Sequence, residues 1–533
     1  MAYLETKNYL SSIAFLVIVP CLFSTMDANA VWLNHGADIS NTRSASGEVL
    51  INRLTVKNLH LKWAFFAGKD ISATPAIAKG VVYFPSWNGY LYAVNAFNGA
   101  LIWKQNLSQL TGLNGTGITV NVTVSRSTPT IADDLLLIGI YGPAVVIAVT
   151  RASGNLVWST RLDSRTRAVI TQSGTFYEGA FYVGVSSLEV GLPANQCCTF
   201  RGSMAKLDVR TGAILWQTYT LPDNKGKLGG YAGAAIWGSS PAIDVTRRLV
   251  YVGTGNLYTA PLEVTRCQEA QNNQTTKPTQ PDQCIGPDIH FDSILAINID
   301  SGMIKWSKQL GGYDIFYFAC LVPNNPDCPP GPNLDADFGE APMLVTIIAN
   351  RTRRDVAVAV QKSGFAWALD RDSGSIVWSK LAGPGGLEGG GIWGAATDGR
   401  TVYTNIANSN RERFTLAPSN GTTTAGAWVA LAANSGQILW STANPSNEAA
   451  QGPVTIVNDV LFAGSVASYG PIYAMDAKTG NILWSYNTSA TVYGGVSASY
   501  GCIYLGNGYT VGTARLFHPT WTGGTSLYAF CIA

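Results

Sequence analysis

Several residue types and patterns that mark common functions are scarce in this sequence. It contains four histidines, and none lies in a recognisable nucleophile or zinc-binding motif, which argues against a hydrolase. Charged residues make up 13% of the chain, the net charge is only +2, and no block of lysines and arginines occurs. The electrostatic footprint of a protein that binds nucleic acid or an acidic membrane surface is therefore missing.

Long hydrophobic runs are also missing. The apolar stretch from Ile13 to Phe23 contains a proline and is shorter than the ~20 residues that span a bilayer. Ala28-Asn29-Ala30 follows it, so the stretch predicts a cleavable signal peptide over residues 1–30, with an uncleaved anchor as the alternative. We expect a mature chain of residues 31–533 that forms one domain without a membrane span. It would be secreted, or periplasmic if the source is bacterial.

The cysteine and glycosylation patterns fit an exported protein. Removal of Cys21 with the signal leaves eight cysteines, and an even number favours disulfides in an oxidising compartment. Among the many possible pairings, local order favours Cys197–Cys198, Cys267–Cys284, Cys320–Cys328 and Cys502–Cys531. Seven Asn-x-Ser/Thr sites would support a glycoprotein in a eukaryotic host, at Asn106, Asn114, Asn121, Asn273, Asn350, Asn420 and Asn487.

The chain is rich in one repeated phrase, a residue pair ending in Gly, three mostly apolar residues and then Trp. Seven full copies end at Trp103, Trp158, Trp216, Trp306, Trp378, Trp440 and Trp484. Before each glycine lies an apolar or alternating run such as Leu91–Asn95, so each copy predicts a strand, a tight turn and a second strand. Repeated antiparallel units of this length predict a β-propeller with four-stranded blades.

The two ends of the repeat array complete each other. The C-terminal segment ends in a third strand, Ser526–Phe530, without a closing Trp strand, whereas Leu59–Phe65 near the N-terminus contains Trp63 without a third strand before it. Pairing these strands would close the ring and remove exposed sheet edges. The fold prediction is an all-β, eight-bladed propeller closed by an N-terminal strand, and the alternative is an open array.

One face of the predicted propeller carries the long loops and an unusual set of polar residues. The insertions Tyr258–His290 and Gly311–Leu334 lie opposite the Ser/Thr-Gly turns, because successive strands alternate in direction. Strand ends on this face carry oxygen donors, which would suit Ca²⁺ or a similar hard cation; they are Glu189, Asn256, Asp335 and Asp337. Taken singly, each also fits a loop acid, a turn residue or a loop cap.

The Trp repeat together with Cys197–Ser203 resembles the pyrroloquinoline quinone (PQQ) dependent alcohol dehydrogenases, and within them the polyvinyl alcohol dehydrogenase branch. The resemblance implies an oxidoreductase with PQQ and a bound Ca²⁺ or lanthanide ion. Glu189 and Asn256 resemble metal ligands of that family. Asp335 resembles the residue that both contacts the metal and acts as catalytic base, and Asp337 the extra acid of lanthanide-using members. The family usually has Trp where this chain has Leu334, so either Asp335 or Asp337 could be the base.

The same resemblance implies a cofactor site. Cys197 and Cys198 resemble a vicinal disulfide that lies against the quinone ring, and Trp237 resembles the opposite wall. Trp393 repeats the Ile-Trp-Gly form of Trp237, although either Trp could merely fill the channel. Lys362 and Arg201 would bind the carboxylates and quinone oxygens of the cofactor.

The implied reaction is hydride transfer from an alcohol, small or polymeric, to a metal-polarised quinone while an Asp takes the hydroxyl proton. The sequence lacks the haem-attachment motif Cys-x-x-Cys-His, so we expect an external electron acceptor. The competing hypothesis is a secreted propeller without catalytic activity that serves as a binding or scaffold module.

Overall fold

The computed structural model describes residues 31–116, 120–272, 284–349 and 351–532. The predicted signal peptide lies outside these residues, as do the glycosylation sites Asn273 and Asn350. Within the described ranges, no helix is both long and apolar enough to cross a bilayer.

The chain folds into eight four-stranded antiparallel blades, as the repeat predicts. Blade 1 consists of Ala76–Ala78, Val81–Ser86, Tyr90–Asn95 and Leu101–Asn106, and blade 2 of Thr130–Ala132, Leu135–Gly139, Val145–Thr150 and Leu156–Arg161. Blade 3 consists of Ala168–Val169 with Thr175–Tyr177, then Ala180–Ser187, Ser203–Asp208 and Ile214–Tyr219. Blade 4 consists of Ala242–Asp244, Leu249–Gly253, Ser293–Asn298 and Ile304–Gln309. Blade 5 consists of Met343–Ala349, Thr352–Val360, Phe365–Asp370 and Ile376–Leu381, and blade 6 of Ala396–Thr397, Thr401–Ile406, Ala427–Ala432 and Ile438–Ala443. Blade 7 consists of Thr455–Val457, Val460–Gly464, Pro471–Asp476 and Ile482–Asn487. Blade 8 consists of Ser497–Ser499, Cys502–Gly506, Ser526–Cys531 and His60–Phe66.

Short elements decorate the loops between the blades. Two further strand pairs are Ala232–Gly233 with Leu257–Thr259 and Phe414–Thr415 with Thr422–Thr423. The α-helices are Leu107–Thr111, Leu262–Asn272 and Thr513–Phe517, and the 3₁₀ turns are Val56–Asn58, Glu189–Gly191, Ala194–Gln196 and Phe318–Leu321.

The ring closes as predicted. The N-terminal strand His60–Phe66 pairs antiparallel with Ser526–Cys531 and becomes the outer strand of blade 8. The Cys502–Cys531 disulfide joins the two strands beside it, and the three other predicted disulfides are also present. Without this N-terminal strand, the third strand of blade 8, Ser526–Cys531, would be left as an open sheet edge.

The Gly-to-Trp spacing of the repeat has a direct structural reason. The Trp306 ring of blade 4 packs over Gly374 in the turn of blade 5, and its Nε1 donates a hydrogen bond of 3.0 Å to the Arg371 carbonyl. A Cβ added to Gly374 would lie 2.7 Å from the Trp306 ring, and φ there is +70°. The same contact recurs at every blade boundary from Trp63 over Gly99 to Trp440 over Gly480. The Gly therefore provides both the left-handed turn and the space for the neighbouring Trp.

The core consists of flat layers between adjacent blades. The second and third strands are buried on both faces in most blades, as in Leu135–Gly139 and Val145–Thr150, whereas the fourth strands are largely exposed apart from their Trp. These strands are rich in Val, Ile and Ala, which pack well on a pleated surface.

The segment from Trp32 to Ser44 contacts the first strand of seven blades in turn. Its backbone bonds include those to Ile77, Ile131, Ile243, Leu344, Thr397 and Ile456. Arg43 is fully buried in this segment and donates to the carbonyls of His35 and Val454. The first strands surround the propeller axis, so this segment fills the axial channel.

The predicted long loops share one face. The insertion after Leu257–Thr259 contains the helix Leu262–Asn272, and the one before blade 5 contains the turn Phe318–Leu321. Two further loops on this face, 407–426 in blade 6 and 507–525 in blade 8, connect second to third strands and were not singled out by the sequence.

Candidate active site

An ion-paired acid cluster lies just before blade 5. Lys362 Nζ is 3.0 Å from Asp335 Oδ2 and 3.0 Å from Asp337 Oδ2, and all three side chains are buried. Burial lowers the pKa of Lys362, but the two carboxylates outweigh it, and the net shift is upward. Lys362 follows the long second strand Thr352–Val360, so the end of this strand places the ammonium between the acids.

The two acids differ in their hydrogen bonds. Both carboxylate oxygens of Asp337 accept hydrogen bonds. Oδ1 accepts from the backbone N–H of Asn256 at 2.6 Å, and Oδ2 accepts from Trp237 Nε1 at 3.1 Å and from Lys362 Nζ. Asp335 Oδ2 accepts from Lys362, whereas Oδ1 has no donor among the described residues. Burial raises the pKa of Asp335 to about 8, with Asp337 and Asp314 adding to the shift and Lys362 opposing it.

A second pair of acids supports the loop that carries Asp335. The Asp314 carboxylate accepts hydrogen bonds from the amides of Leu334, Asp335 and Ala336. These bonds hold Asp335 in the left-handed region, with φ +52°, a conformation that non-glycine residues adopt rarely. Burial raises the pKa of Asp314 to about 6 and that of Asp292, beside it, well above its ordinary value.

Glu189 is anchored by the loop that follows the cysteine pair. Its Oε2 accepts from the amides of Thr199 and Phe200 at 2.6 and 2.8 Å. Cys197 and Cys198 are bonded to each other and buried, in an apolar cluster against which Trp237 packs. The predicted vicinal disulfide is thus present, between Glu189 and Arg201 in the chain.

Asn256 and Tyr258 connect Glu189 to the acid cluster. Asn256 Nδ2 donates to the carbonyls of Leu257 and Phe316, which orients its Oδ1 as the free acceptor. Tyr258 is buried, and burial raises its pKa well above the ordinary value, with further contributions from Asp337, Glu189 and Asp335. The charges of Glu189 and of the Asp335–Asp337 pair thus act on the same buried phenol, although Glu189 is far from that pair in sequence.

Beside the acids is an aromatic cavity of about 200 Å³. Trp237 and Trp393 form part of its wall, with ring centroids 4.9 Å apart and planes at 78°, and Lys362 opens into it. Arg126 lies with its guanidinium carbon 4.2 Å from the Trp393 ring centroid. Behind Trp393, the His35 ring nitrogen Nε2 is 2.7 Å from the Trp393 carbonyl.

Arg201 does not line this cavity. Its guanidinium lies 3.2 Å from Asp223, donates to the Leu221 carbonyl at 3.2 Å and is 4.2 Å from the Tyr219 ring centroid. The side chains that the sequence predicts for the cofactor are therefore only partly brought together. Trp237, Trp393 and Lys362 line the cavity. The cysteine pair does not line it but belongs to the apolar cluster against which Trp237 packs, and Arg201 faces elsewhere.

The chemistry of the donor set, rather than its arrangement in this structure, suits a hard cation. Glu189, Asn256, Asp335 and Asp337 offer oxygen donors, and the carboxylates of Asp335 and Asp337 share one ammonium, that of Lys362. Buried carboxylates are unfavourable unless they are paired or bind a cation, and burial is the main cause of the raised pKa of Asp335, with the neighbouring acids Asp337 and Asp314 adding to it. Among the described residues, no group of three or more His, Cys, Asp or Glu side chains is arranged to hold a metal ion.

Some residues of the site were not predicted. Arg126 lies in an irregular loop without a motif, and Asp314 lies inside the long insertion before blade 5, so neither carries a local signal. Their importance depends on neighbours from other blades, which a single sequence does not reveal. Only the three aromatic rings around Arg126, those of Trp393, Tyr493 and Tyr509, identify it.

The chain matches one protein family and has curated relatives over most of its length. Residues 30–308 and 362–515 match the PQQ_2 family, described as outer membrane protein assembly factor BamB. A relative named polyvinylalcohol dehydrogenase from a Pseudomonas species is 28% identical over 95% of this chain and 75% of its own length. A second protein of that name, from Sphingopyxis sp. (strain 113P3), is 27% identical over 88% of this chain and 70% of its own length.

Solved structures show the same fold. The quinohemoprotein alcohol dehydrogenase from Comamonas testosteroni matches with a TM-score of 0.72 over 97% of this chain and 82% of that chain, at 19% identity. A europium-containing methanol dehydrogenase matches with a TM-score of 0.68 over 96% of this chain and 100% of that chain, at 16% identity. The family match shows that the chain belongs to the PQQ_2 family, and the solved structures show the same propeller fold.

Proposed function

We propose that this protein oxidises an alcohol, using PQQ and a bound Ca²⁺ or lanthanide ion. The observation that carries the proposal is the buried acid cluster of Asp335, Asp337 and Lys362, which opens into a cavity walled by Trp237 and Trp393. A propeller that serves only as a scaffold has no need of buried charges at such a cavity, since buried charges are costly unless they have a function or a partner.

In this proposal the cation is held by Glu189, Asn256 Oδ1, Asp335 and Asp337. Trp237 and the Cys197–Cys198 disulfide would hold the quinone, and Lys362 and Arg126 would donate charge-assisted hydrogen bonds to its acidic and carbonyl oxygens. When bound, PQQ would supply a hydride acceptor for the alcohol carbon, and the cation would supply a Lewis acid. Arg126 takes the place that the sequence assigned to Arg201, because Arg126 lines the cavity and Arg201 does not.

Asp335 is the better candidate for the base. Its Oδ1 has no donor among the described residues and is available to accept the hydroxyl proton of the substrate, whereas both oxygens of Asp337 are occupied. Lys362 holds Asp335 from the other side and stabilises its ionised form. The role of Asp337 is then to position Asn256, Trp237 and Lys362 and to supply negative charge to the cation.

The wider setting is also part of the proposal. The relatives named polyvinylalcohol dehydrogenase support a secondary or polymeric alcohol as substrate. We further propose export after cleavage behind Ala30, a single mature domain over residues 31–533, and electron transfer to an external acceptor.

Reconstitution tests this function directly. The protein of residues 31–533, with its disulfides formed, is incubated with PQQ and either Ca²⁺ or La³⁺. Alcohol-dependent reduction of an artificial dye is then followed by absorbance. We expect turnover that requires quinone, metal and alcohol together. If neither metal gives bound quinone or dye reduction, the enzyme hypothesis fails and the binding-module hypothesis takes its place.

A further inference from the structure

His518 and Glu388 form a hydrogen-bonded pair that borders two spaces. His518 Nε2 lies 2.5 Å from Glu388 Oε1. Both residues line the aromatic cavity, and both also line an outer groove of about 320 Å³ whose walls include the exposed residues Asn410 and Thr520. The side chains of His518 and Glu388 are 18% and 24% exposed, so solvent reaches them although neither is free on the surface. The pair thus touches both the cavity and the solvent-exposed groove.

Neighbouring side chains hold this pair in place. The His518 ring stacks on Trp521, with centroids 3.7 Å apart and planes at 6°. Gln451 Nε2 donates to Glu388 Oε2 at 2.8 Å and so fixes the carboxylate. The second ring nitrogen of His518, Nδ1, makes no hydrogen bond to any of the described residues, so it is available to exchange a proton. Both nitrogens of an imidazole can carry a proton, which allows a proton to enter at one and leave at the other.

Among the described residues that line the cavity, this pair is the one suited to exchange protons near neutral pH. The other ionisable side chains of the lining are Arg126, Lys362, Tyr493 and Tyr509. Arginine stays protonated in proteins, and the two carboxylates beside Lys362 keep its ammonium charged. A phenol ordinarily ionises only at about pH 10, and burial raises the pKa of Tyr493 further. Histidine is the side chain whose charge ordinarily changes near neutral pH.

The proposed reaction sets protons free at this cavity. Oxidation of an alcohol to a carbonyl compound removes two electrons and two protons. The hydroxyl proton goes to Asp335, and the second proton arrives with the hydride and is set free when the external acceptor removes the two electrons. Both must reach solvent before the next turnover. Most of the cavity wall is aromatic and offers them no ionisable group at neutral pH; its buried rings are Trp393, Tyr493, Tyr509 and Trp521.

We infer that the His518–Glu388 pair is the proton outlet of the active site. This inference rests on the proposed function and adds two residues to it. A proton from the cavity moves along the hydrogen bond between Glu388 Oε1 and His518 Nε2, and His518 Nδ1 is the other end of the relay. The pair has no part in binding the quinone or the alcohol, so its loss should slow proton release and leave PQQ binding and hydride transfer unchanged.

The test separates hydride transfer from proton release. Holoprotein with PQQ and Ca²⁺ or La³⁺ is first reduced by the alcohol that supports dye reduction, and quinone absorbance gives the rate of hydride transfer. Ferricyanide, a one-electron acceptor, then reoxidises the protein in weakly buffered solution, and a pH-indicator dye gives the rate of proton release. The variants are His518→Gln and Glu388→Gln. The matched control is Glu448→Gln, because Glu448 lines the outer groove but not the cavity.

We expect both variants to slow proton release by about 10²-fold, a usual loss when a positioned acid or base is removed. Hydride transfer, and PQQ affinity in a fluorescence titration, should stay within about twofold, and thermal unfolding verifies the fold. The control should match the unmodified protein. In His518→Ala, added imidazole should restore proton release, whereas pyrazole, a ring of the same size but a far weaker base, should not.

Three results would overturn the inference and leave the proposed function standing. They are proton release at the same rate in all proteins, an equal loss in Glu448→Gln, and rescue of His518→Ala by both rings alike. A parallel loss of hydride transfer or of PQQ affinity would overturn it too, because the pair would then act on the structure of the site. A holoprotein that no alcohol reduces refutes the proposed function, and this inference with it.

Discussion

Lys362 Nζ lies 3.0 Å from Asp335 Oδ2 and leaves the second oxygen of that carboxylate without a donor among the described residues. We therefore expect Asp335→Asn to lower kcat by about 10²- to 10⁴-fold, the usual contribution of a positioned base. PQQ binding should weaken much less than kcat falls, because the asparagine keeps one oxygen for the cation and the aromatic walls and Lys362 remain. Stopped-flow dye reduction and quinone absorbance separate the two effects.

Asp337→Asn serves as the comparison for that variant. Asp337 accepts from Asn256, Trp237 and Lys362, so its replacement should lower thermal stability and quinone affinity together rather than kcat alone. A reversed pattern, with Asp337→Asn well folded, able to bind quinone and inactive, would assign the base to Asp337.

Arg126 and Arg201 can be compared directly. Arg126 lines the cavity, and within the described part of the chain no carboxylate forms an ion pair with it, whereas Arg201 is engaged with Asp223. Loss of a charge-assisted hydrogen bond is worth about 1.5–3 kcal/mol, so Arg126→Gln should weaken PQQ binding by roughly 10- to 100-fold. Arg201→Gln should leave it within about twofold. Equal effects in a fluorescence titration contradict the assignment.

The packing of Trp against Gly can be separated from backbone strain. Gly374 and Gly179 both have φ +70°, but a Cβ on Gly374 would lie 2.7 Å from the Trp306 ring, whereas one on Gly179 has no atom within 4 Å. Gly179→Ala should therefore lower the free energy of unfolding by about 1 kcal/mol, and Gly374→Ala by about 2–4 kcal/mol. Urea denaturation measures both. Similar losses would mean that the Trp contact does not explain the glycine.

His35 gives a dependence of stability on pH. Burial, followed by the charge of Arg43, lowers the pKa of His35 well below its ordinary value, so the folded protein keeps it neutral. Below about pH 6.5 the unfolded chain binds a proton that the folded chain does not, and stability falls as the pH falls. Relative to His35→Gln, the unmodified protein should lose up to about 1.4 kcal/mol per pH unit in this range.

The control for this prediction is His60→Gln, because His60 is exposed on the outer strand of blade 8. Because this variant keeps His35, its stability in urea denaturation should follow that of the unmodified protein at every pH. A stability difference between the unmodified protein and His35→Gln that stays constant from pH 8 to pH 5 would contradict the assignment of a neutral His35.

The fold was more predictable than the site, for physical reasons. Each Gly-to-Trp phrase records a contact between neighbouring blades, and the unmatched Trp63 strand indicated the closure with Ser526–Cys531. The site depends on side chains from different blades. The order of the strands predicted that Glu189, Asn256 and Asp335 lie on the same face. Arg126 and Asp314 follow no local pattern, so the sequence did not indicate them. Arg201 is close to Cys198 in sequence, but its side chain does not reach the cavity.

The central claim is that Glu189, Asn256, Asp335 and Asp337 hold a hard cation that recruits the quinone. The most direct measurement is an equilibrium titration of the unmodified protein with PQQ, first in EDTA and then with Ca²⁺ or La³⁺, followed by tryptophan fluorescence and quinone absorbance. The account predicts one quinone bound per chain, with affinity that rises at least about tenfold when the metal is present. Quinone binding that is indifferent to both metals, or absent with both, would contradict it.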